Sequence, residues 1–213
     1  MKKADQHLHP IYAAVATTAS GKDTVQDAVL AIVGTRMGFI PRHTTRSLRP
    51  RDHYHHTTRE QIATWESQQM VLSRVYLYGA DYVTLRHEHD GVLETRPAVA
   101  HYTLDTALFY RELGYTVKLS RLTAVNQRDD QVPERVRERA VVDAARQHEH
   151  ESDAYDGPDL VNDFSLVTLT RFRDQFDEPI PLGAVRAACQ WLRFIAQAED
   201  WDSAFLGHIE ESR

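Results

Sequence analysis

The chain has 213 residues, enough for one sizeable domain with its own core. Its net charge of −6 weighs against a general nucleic-acid binder, and its single cysteine, Cys189, excludes an intrachain disulfide and points to an intracellular, cytoplasmic setting. The opening MKKADQHLHP lacks the apolar stretch of a secretory signal, and no apolar run approaches the roughly 20 residues of a membrane span.

Residues 1–10 read as a polar arm. IYAAVA (11–16) is a short apolar run of the kind a buried parallel strand shows. The loop ATTASGKDT (16–24) follows. From Lys22 to Val33 the apolar residues Val25, Ala28, Val29, Ile32 and Val33 recur at helical spacing. GFIPRHTTRSLRPRDHYHHTTREQ is rich in Arg and His and reads as an exposed functional loop. Thr57 and Glu60 have the spacing of a capping box that starts a helix over REQIATWESQQ. MVLSRVYLYGADYVTLRHEHDGVLETR is β-rich, with Asp90-Gly91 suited to a two-residue hairpin turn.

Pro97 can open a helix that runs to Leu113, with Gly114 as its cap. YTVKLSRLTA is another strand, NQRDDQVP a charged loop, and PERVRERAVVDAARQHE a helix. PDLVND is a last short strand, and SLVTLTRFRDQF reads as a helix. Pro179 and Pro181 mark a boundary before the amphipathic helix LGAVRAACQWLRFIAQA, where Trp191, Leu192, Phe194 and Ile195 suit packing or a homodimer surface. Alternating strands and helices predict an α/β fold with a mainly parallel sheet.

SGKDT between a strand and a helix has the end of a phosphate-binding loop. Backbone N–H groups and a helix N-terminus would face phosphates, and Lys22 would add a mobile charge. Ala16 and Ala19 stand where glycines are usual, and Asp23 where a hydroxyl residue is usual. Asp23 could serve a hard cation instead, with the Thr24 hydroxyl one position later. Taken alone, SGKDT also fits a Ser-capped helix carrying a solvated lysine.

SGKDT, TTRSLRP, YHHTTREQI, YGADYVT, QRDDQVPERVRERA and LVND occur in one order, and in that order the chain resembles the guanylate kinase family of P-loop kinases over residues 11–176. The GKD variant and the shortened loop after TTR also resemble the ribose 1,5-bisphosphate phosphokinase branch. The resemblance implies a P-loop three-layer α/β sandwich with ATP and Mg²⁺ as cofactors. It implies an acceptor-binding region over 43–96, a lid over 123–139 and a C-terminal helical extension over 177–213.

It further implies that Ala19, Ser20, Gly21, Lys22, Asp23 and Thr24 hold the ATP phosphates. Arg46, Arg49, Tyr54 and Tyr82 would hold the acceptor's phosphate, with Ser73 and Thr84 lining that pocket. Arg128 and Arg139 would join Lys22 in catalysis, with Arg135 and Arg137 close by. Asn162 would lie on the adenine side. Asp23 and Glu94 are the magnesium candidates. Glu94 is one only if GVLE is an apolar strand end, and is merely exposed if HEHDGVLETR is a hairpin arm.

The family's guanine-reading groups do not carry over. Its serine is Arg42 here and its glutamate is Ser73, so carboxylates that would accept guanine N–H bonds are lost. The helix expected after the YG segment has no room between Val83 and Gly91. His53, His55, His56, His87 and His89 form no complete metal set.

The expected activity is γ-phosphoryl transfer to a small-molecule acceptor that already bears a phosphate. A nucleoside monophosphate leads, one with a non-guanine or modified base included. A sugar-phosphate kinase of the ribose bisphosphate type and a non-catalytic binding module are the alternatives. Neither a membrane nor nucleic acid is an expected partner, although the basic RHTTRSLRPR loop keeps a kinase acting on a DNA base in view.

Overall fold

The computed structural model describes residues 7–16, 20–49, 52–125, 154–166, 169–170 and 180–202. In chain order the elements are β1 (Ile11–Ala16), α1 (Lys22–Val33), a 3-10 turn (Gly34–Arg36), β2 (Gly38–Phe39), β3 (Arg42–Thr44), β4 (Tyr54–His56) and α2 (Arg59–Ser67). Then come β5 (Val71–Leu77), β6 (Ala80–Leu85), α3 (Arg86–Leu93), β7 (Ala98–Tyr102), α4 (Leu104–Glu112), β8 (Val117–Val125), β9 (Asp159–Asp163), β10 (Leu169–Thr170), β11 (Ile180–Pro181) and α5 (Leu182–Ala198). They fall into two compact units, one of Met1–Pro10 with Gly38–Ala98, the other of Ile11–Met37 with Val99–Arg213.

The second unit is built on an α/β sheet whose order includes β7-β1-β8-β9. β1 pairs with β8 and β8 with β9, both parallel. β1 is buried on both faces along IYAAV, as a central strand covered by helices must be. α1 turns Val25, Ala28, Val29 and Val33 inward. α5 turns in Ala184, Ala188, Trp191, Leu192 and Ile195, and packs on α1 and β9. The Tyr12 hydroxyl donates to Glu199 Oε1 at 2.7 Å, tying β1 to the end of α5. Burial and then that carboxylate push the Tyr12 phenol far above its usual range, so it stays a donor.

The first unit carries a four-stranded sheet of order β4-β3-β6-β5. β3 and β4 run parallel, and β6 is antiparallel to both β3 and β5. α2 covers one face, where Ile62 meets Val83 and Leu85.

Several sequence expectations are corrected. Residues 86–93 form a helix, so the room after β6 does hold one and Asp90-Gly91 is no turn. His89, Asp90 and Leu93 are its buried residues, a helical spacing hidden by so few apolar side chains. The hairpin turn is Tyr78-Gly79, both with positive φ, between β5 and β6. Pro97 opens a fully buried strand, AVAHY, and the helix starts only after Thr103, whose hydroxyl accepts from Thr106 N. Thr58, not Thr57, caps α2 by accepting from Gln61 N. Leu169–Thr170, expected within a helix, pairs with Ile180–Pro181 as a short antiparallel ladder. The expected helix over 133–149 lies outside the described residues.

Trp191, Leu192 and Ile195 are fully buried, so they serve as core and not as a surface for a second copy. Trp191→Ala is expected to lower stability by about 3–5 kcal/mol, because it leaves a large cavity in the core. Phe109→Ser, on an exposed residue of α4, should change it by less than about 0.5 kcal/mol. Urea unfolding of both variants checks this, and equal effects would contradict the packing assigned to α5.

Candidate active site

The phosphate-loop candidate lies in the second unit, at the junction of β1 and α1. Gly21 precedes α1 in a left-handed conformation, φ 76° and ψ 22°. A Cβ there would collide with the Asn162 amide nitrogen, so both backbone geometry and space require glycine. No side chain caps α1, although Val25 N donates to Gly21 O at 3.0 Å. The first turn of this twelve-residue helix thus begins with no capping side chain at its N-cap position, as helix N-termini that take anions do. Ser20 is 1% exposed, and its Oγ meets no hydrogen-bond partner among the described residues.

Lys22 Nζ stands 3.8 Å from Asp23 Oδ2, and both side chains reach solvent. Asp23 and Thr24 thus fit the oxygen-ligand chemistry of a magnesium ion held beside phosphates. A helix N-terminus, a buried hydroxyl and a lysine are the kinds of group that phosphate-binding loops use. Ala19 and the lid candidates Arg128, Arg135, Arg137 and Arg139 lie outside the described residues. Asn162, expected at the adenine, is 4% exposed and donates from Nδ2 to Ser20 O at 2.9 Å. Its amide is engaged with the loop itself.

The acceptor candidates lie in the first unit. Strand pairing puts Arg42 opposite Tyr54, Thr44 opposite Tyr82, and Ser73 opposite Thr84, all on the face away from α2. The Tyr54 and Tyr82 rings meet edge to face at 5.4 Å. Arg42 Nη2 donates to the Tyr54 hydroxyl at 2.8 Å, and its guanidinium lies 4.8 Å from that ring's centre. Arg46 lies over the same ring at 5.2 Å. Of the residues that sequence reasoning grouped, the structure places Arg46, Tyr54 and Tyr82 together, with Ser73 and Thr84 as a neighbouring cross-strand pair.

Asp52 is the residue that sequence reasoning missed. Arg46 donates to Asp52 through both Nη1 and Nη2, at 2.6 and 2.7 Å, and the Arg49 backbone N–H also donates to that carboxylate. This fork holds the Asp52 carboxyl below its usual range and raises the Arg46 guanidinium, which Tyr82 also supports. The Arg49 side chain is exposed. No sequence signal marks Asp52, because a lone carboxylate in a basic loop reads as surface charge.

Glu94 is corrected as a magnesium candidate. It caps the C-terminal end of α3, not an apolar strand, and the buried strand comes later, at β7. No cluster of three or more His, Cys, Asp or Glu with ligating geometry occurs among the described residues. His43 contacts Glu88 at 2.9 Å, and its ring lies near those of His55 and Trp65, on the α2 face of the sheet. His89 is fully buried, and burial lowers its pKa.

Because its folded pKa is depressed, Asp52 contributes stability that is full above its unfolded value near ~4 and is lost as pH falls through the folded value. Asp52→Asn should therefore cost about 1–3 kcal/mol at pH 7, and the gap to the parent should shrink below about pH 4. Urea unfolding at a series of pH values reads this directly, and a pH-independent gap would contradict the ion pair's role.

Models of protein families and curated proteins give no match to this chain. Among solved structures, it is similar to guanylate kinase from Anaplasma phagocytophilum, with a TM-score of 0.58 and 18% identity over 92% of this chain and 89% of that one. That likeness covers nearly all of both chains and agrees with the parallel β1-β8-β9 core and the loop before α1. The chain has a guanylate-kinase-like fold.

Proposed function

We propose that the chain is a magnesium-dependent kinase that transfers the γ-phosphoryl group of ATP to an acceptor already bearing a phosphate. The observation that carries this reading is the α1 N-terminus with no side-chain cap at Gly21, beside a buried Ser20 hydroxyl that has no partner among the described residues. Such a terminus is made for a phosphate chain. Lys22 would hold the transferring phosphoryl oxygens as charge builds on them. Bound magnesium would neutralise phosphate charge and orient the chain, with Asp23 and Thr24 to hold it. Arg46, Tyr54 and Tyr82, with Arg49, would grip the acceptor's phosphate, the arginine fork matching two of its oxygens. Asp52 would then either yield that fork or share it.

A nucleoside monophosphate with a base other than guanine is the leading acceptor. Arg42 favours a second reading, a sugar-phosphate acceptor. It places a guanidinium on the face where carboxylates would read guanine, and Ser73 and Thr84 on that face are neutral. Such a face prefers ligands rich in acceptor oxygens.

ADP release from Mg·ATP tests the reading across ribo- and deoxynucleoside monophosphates, ribose 1,5-bisphosphate and hydroxymethyluracil DNA. Turnover should depend on one acceptor class and fall by about 100-fold or more in Lys22→Ala. Arg46→Ala should raise the acceptor KM by about tenfold or more, with a smaller change in the KM for ATP. Tight ATP binding with no turnover on any acceptor would sink the kinase reading and favour a binding module.

A further inference from the structure

The phosphate loop has one glycine where such loops usually have several, yet it holds a left-handed turn. Asn162, at the end of β9, supplies a brace from 142 residues away in the chain. Its Nδ2 donates to the Ser20 carbonyl, the residue just before that turn. A side chain at Gly21 would collide with the same Nδ2, so the amide fills the space beneath the loop. On the opposite side Asn162 meets the first turn of α5. There a Cβ at Gly183 would collide with the Asp163 carbonyl oxygen and stand 3.0 Å from Asn162 Oδ1. One buried amide is therefore bracketed by two glycines, one on the phosphate loop and one on the C-terminal helix.

We propose that Asn162 is a positioning residue of the phosphate loop, and that Gly183 brings α5 close enough to hold it there. This rests on the reading that the loop binds a nucleoside triphosphate. Fixing the Ser20 carbonyl fixes the peptide plane that leads into Gly21. The following N–H groups of Gly21, Lys22 and Asp23 then point one way before ligand arrives, so little order is lost on binding. It also explains why α5 belongs with the machinery: its core face sets the position of its first turn, and that turn backs the amide.

The test compares equilibrium binding of Mg·ATP to the full chain and four variants, each checked for fold by circular dichroism and thermal unfolding. Asn162→Asp keeps the size but replaces the N–H donor with an oxygen facing the Ser20 carbonyl. Gly183→Ala pushes on Asp163 and Asn162 without touching the loop. Ile195→Val trims α5 far from Asn162 and serves as the stability control. Lys22→Ala tests the loop itself.

Asn162→Asp and Gly183→Ala should each raise the Kd for Mg·ATP about tenfold or more, whereas Ile195→Val should lower the melting temperature and leave Kd unchanged. A merely structural Asn162 would behave like Ile195. Wild-type Kd in both Asn162→Asp and Gly183→Ala would overturn the proposal. If Asn162→Asp does not fold, Gly183→Ala alone decides it. If the parent chain does not bind Mg·ATP, or Lys22→Ala binds it equally well, the triphosphate reading itself fails, and the proposal with it.

Discussion

The conformation of three residues, Ser20 to Lys22, constrains much of the second unit. A strand must end, reverse into a left-handed residue and start a helix within a few residues. Support comes from β9, through the Asn162 amide on the Ser20 carbonyl. β9 is in turn registered against β8 and β8 against β1, residue for residue, so the loop's brace and the loop's own strand share one ladder. α5 closes the arrangement by packing on α1 and β9 together. Mutations that loosen this ladder should therefore be felt at the loop before they are felt as unfolding.

The first unit solves a different problem. Guanidinium groups gathered on one face repel one another and need anions. Asp52 supplies one internally, bidentate to Arg46, while the Tyr54 ring lies under both Arg42 and Arg46. One guanidinium fork on this face is thus already satisfied, and under the proposed function Asp52 would compete with an acceptor phosphate for it.

Periodicity and short motifs made much of this legible. IYAAV follows from its continuous apolar run, and the α1 stripe and the length of α5 from burial at a period of 3.6. The stretch from 86 to 102 was misread because its helix is rich in charge and histidine, while its strand runs straight into a second helix. Neither element shows a clean period over so few residues. Arg46, Tyr54 and Tyr82 could be read from the TTR loop and the YG segment. Asp52 could not, since a carboxylate in a basic loop looks like ordinary surface charge until its two short bonds to Arg46 are seen. Asn162 was found by motif, but its bond to the Ser20 carbonyl was not foreseen. Its partner is 142 residues away, and no local pattern reports a contact of that separation.

The central claim is that the backbone from Ser20 to Thr24 cradles a phosphate chain. It is tested most directly by backbone amide chemical shifts of the labelled chain during a titration with Mg·ATP. The account predicts large, saturable shifts at Gly21, Lys22, Asp23 and Thr24, with none at exposed Leu113 on the end of α4. Saturable binding that leaves the amides of residues 21–24 unmoved would contradict it, because the triphosphate would then sit elsewhere on the molecule.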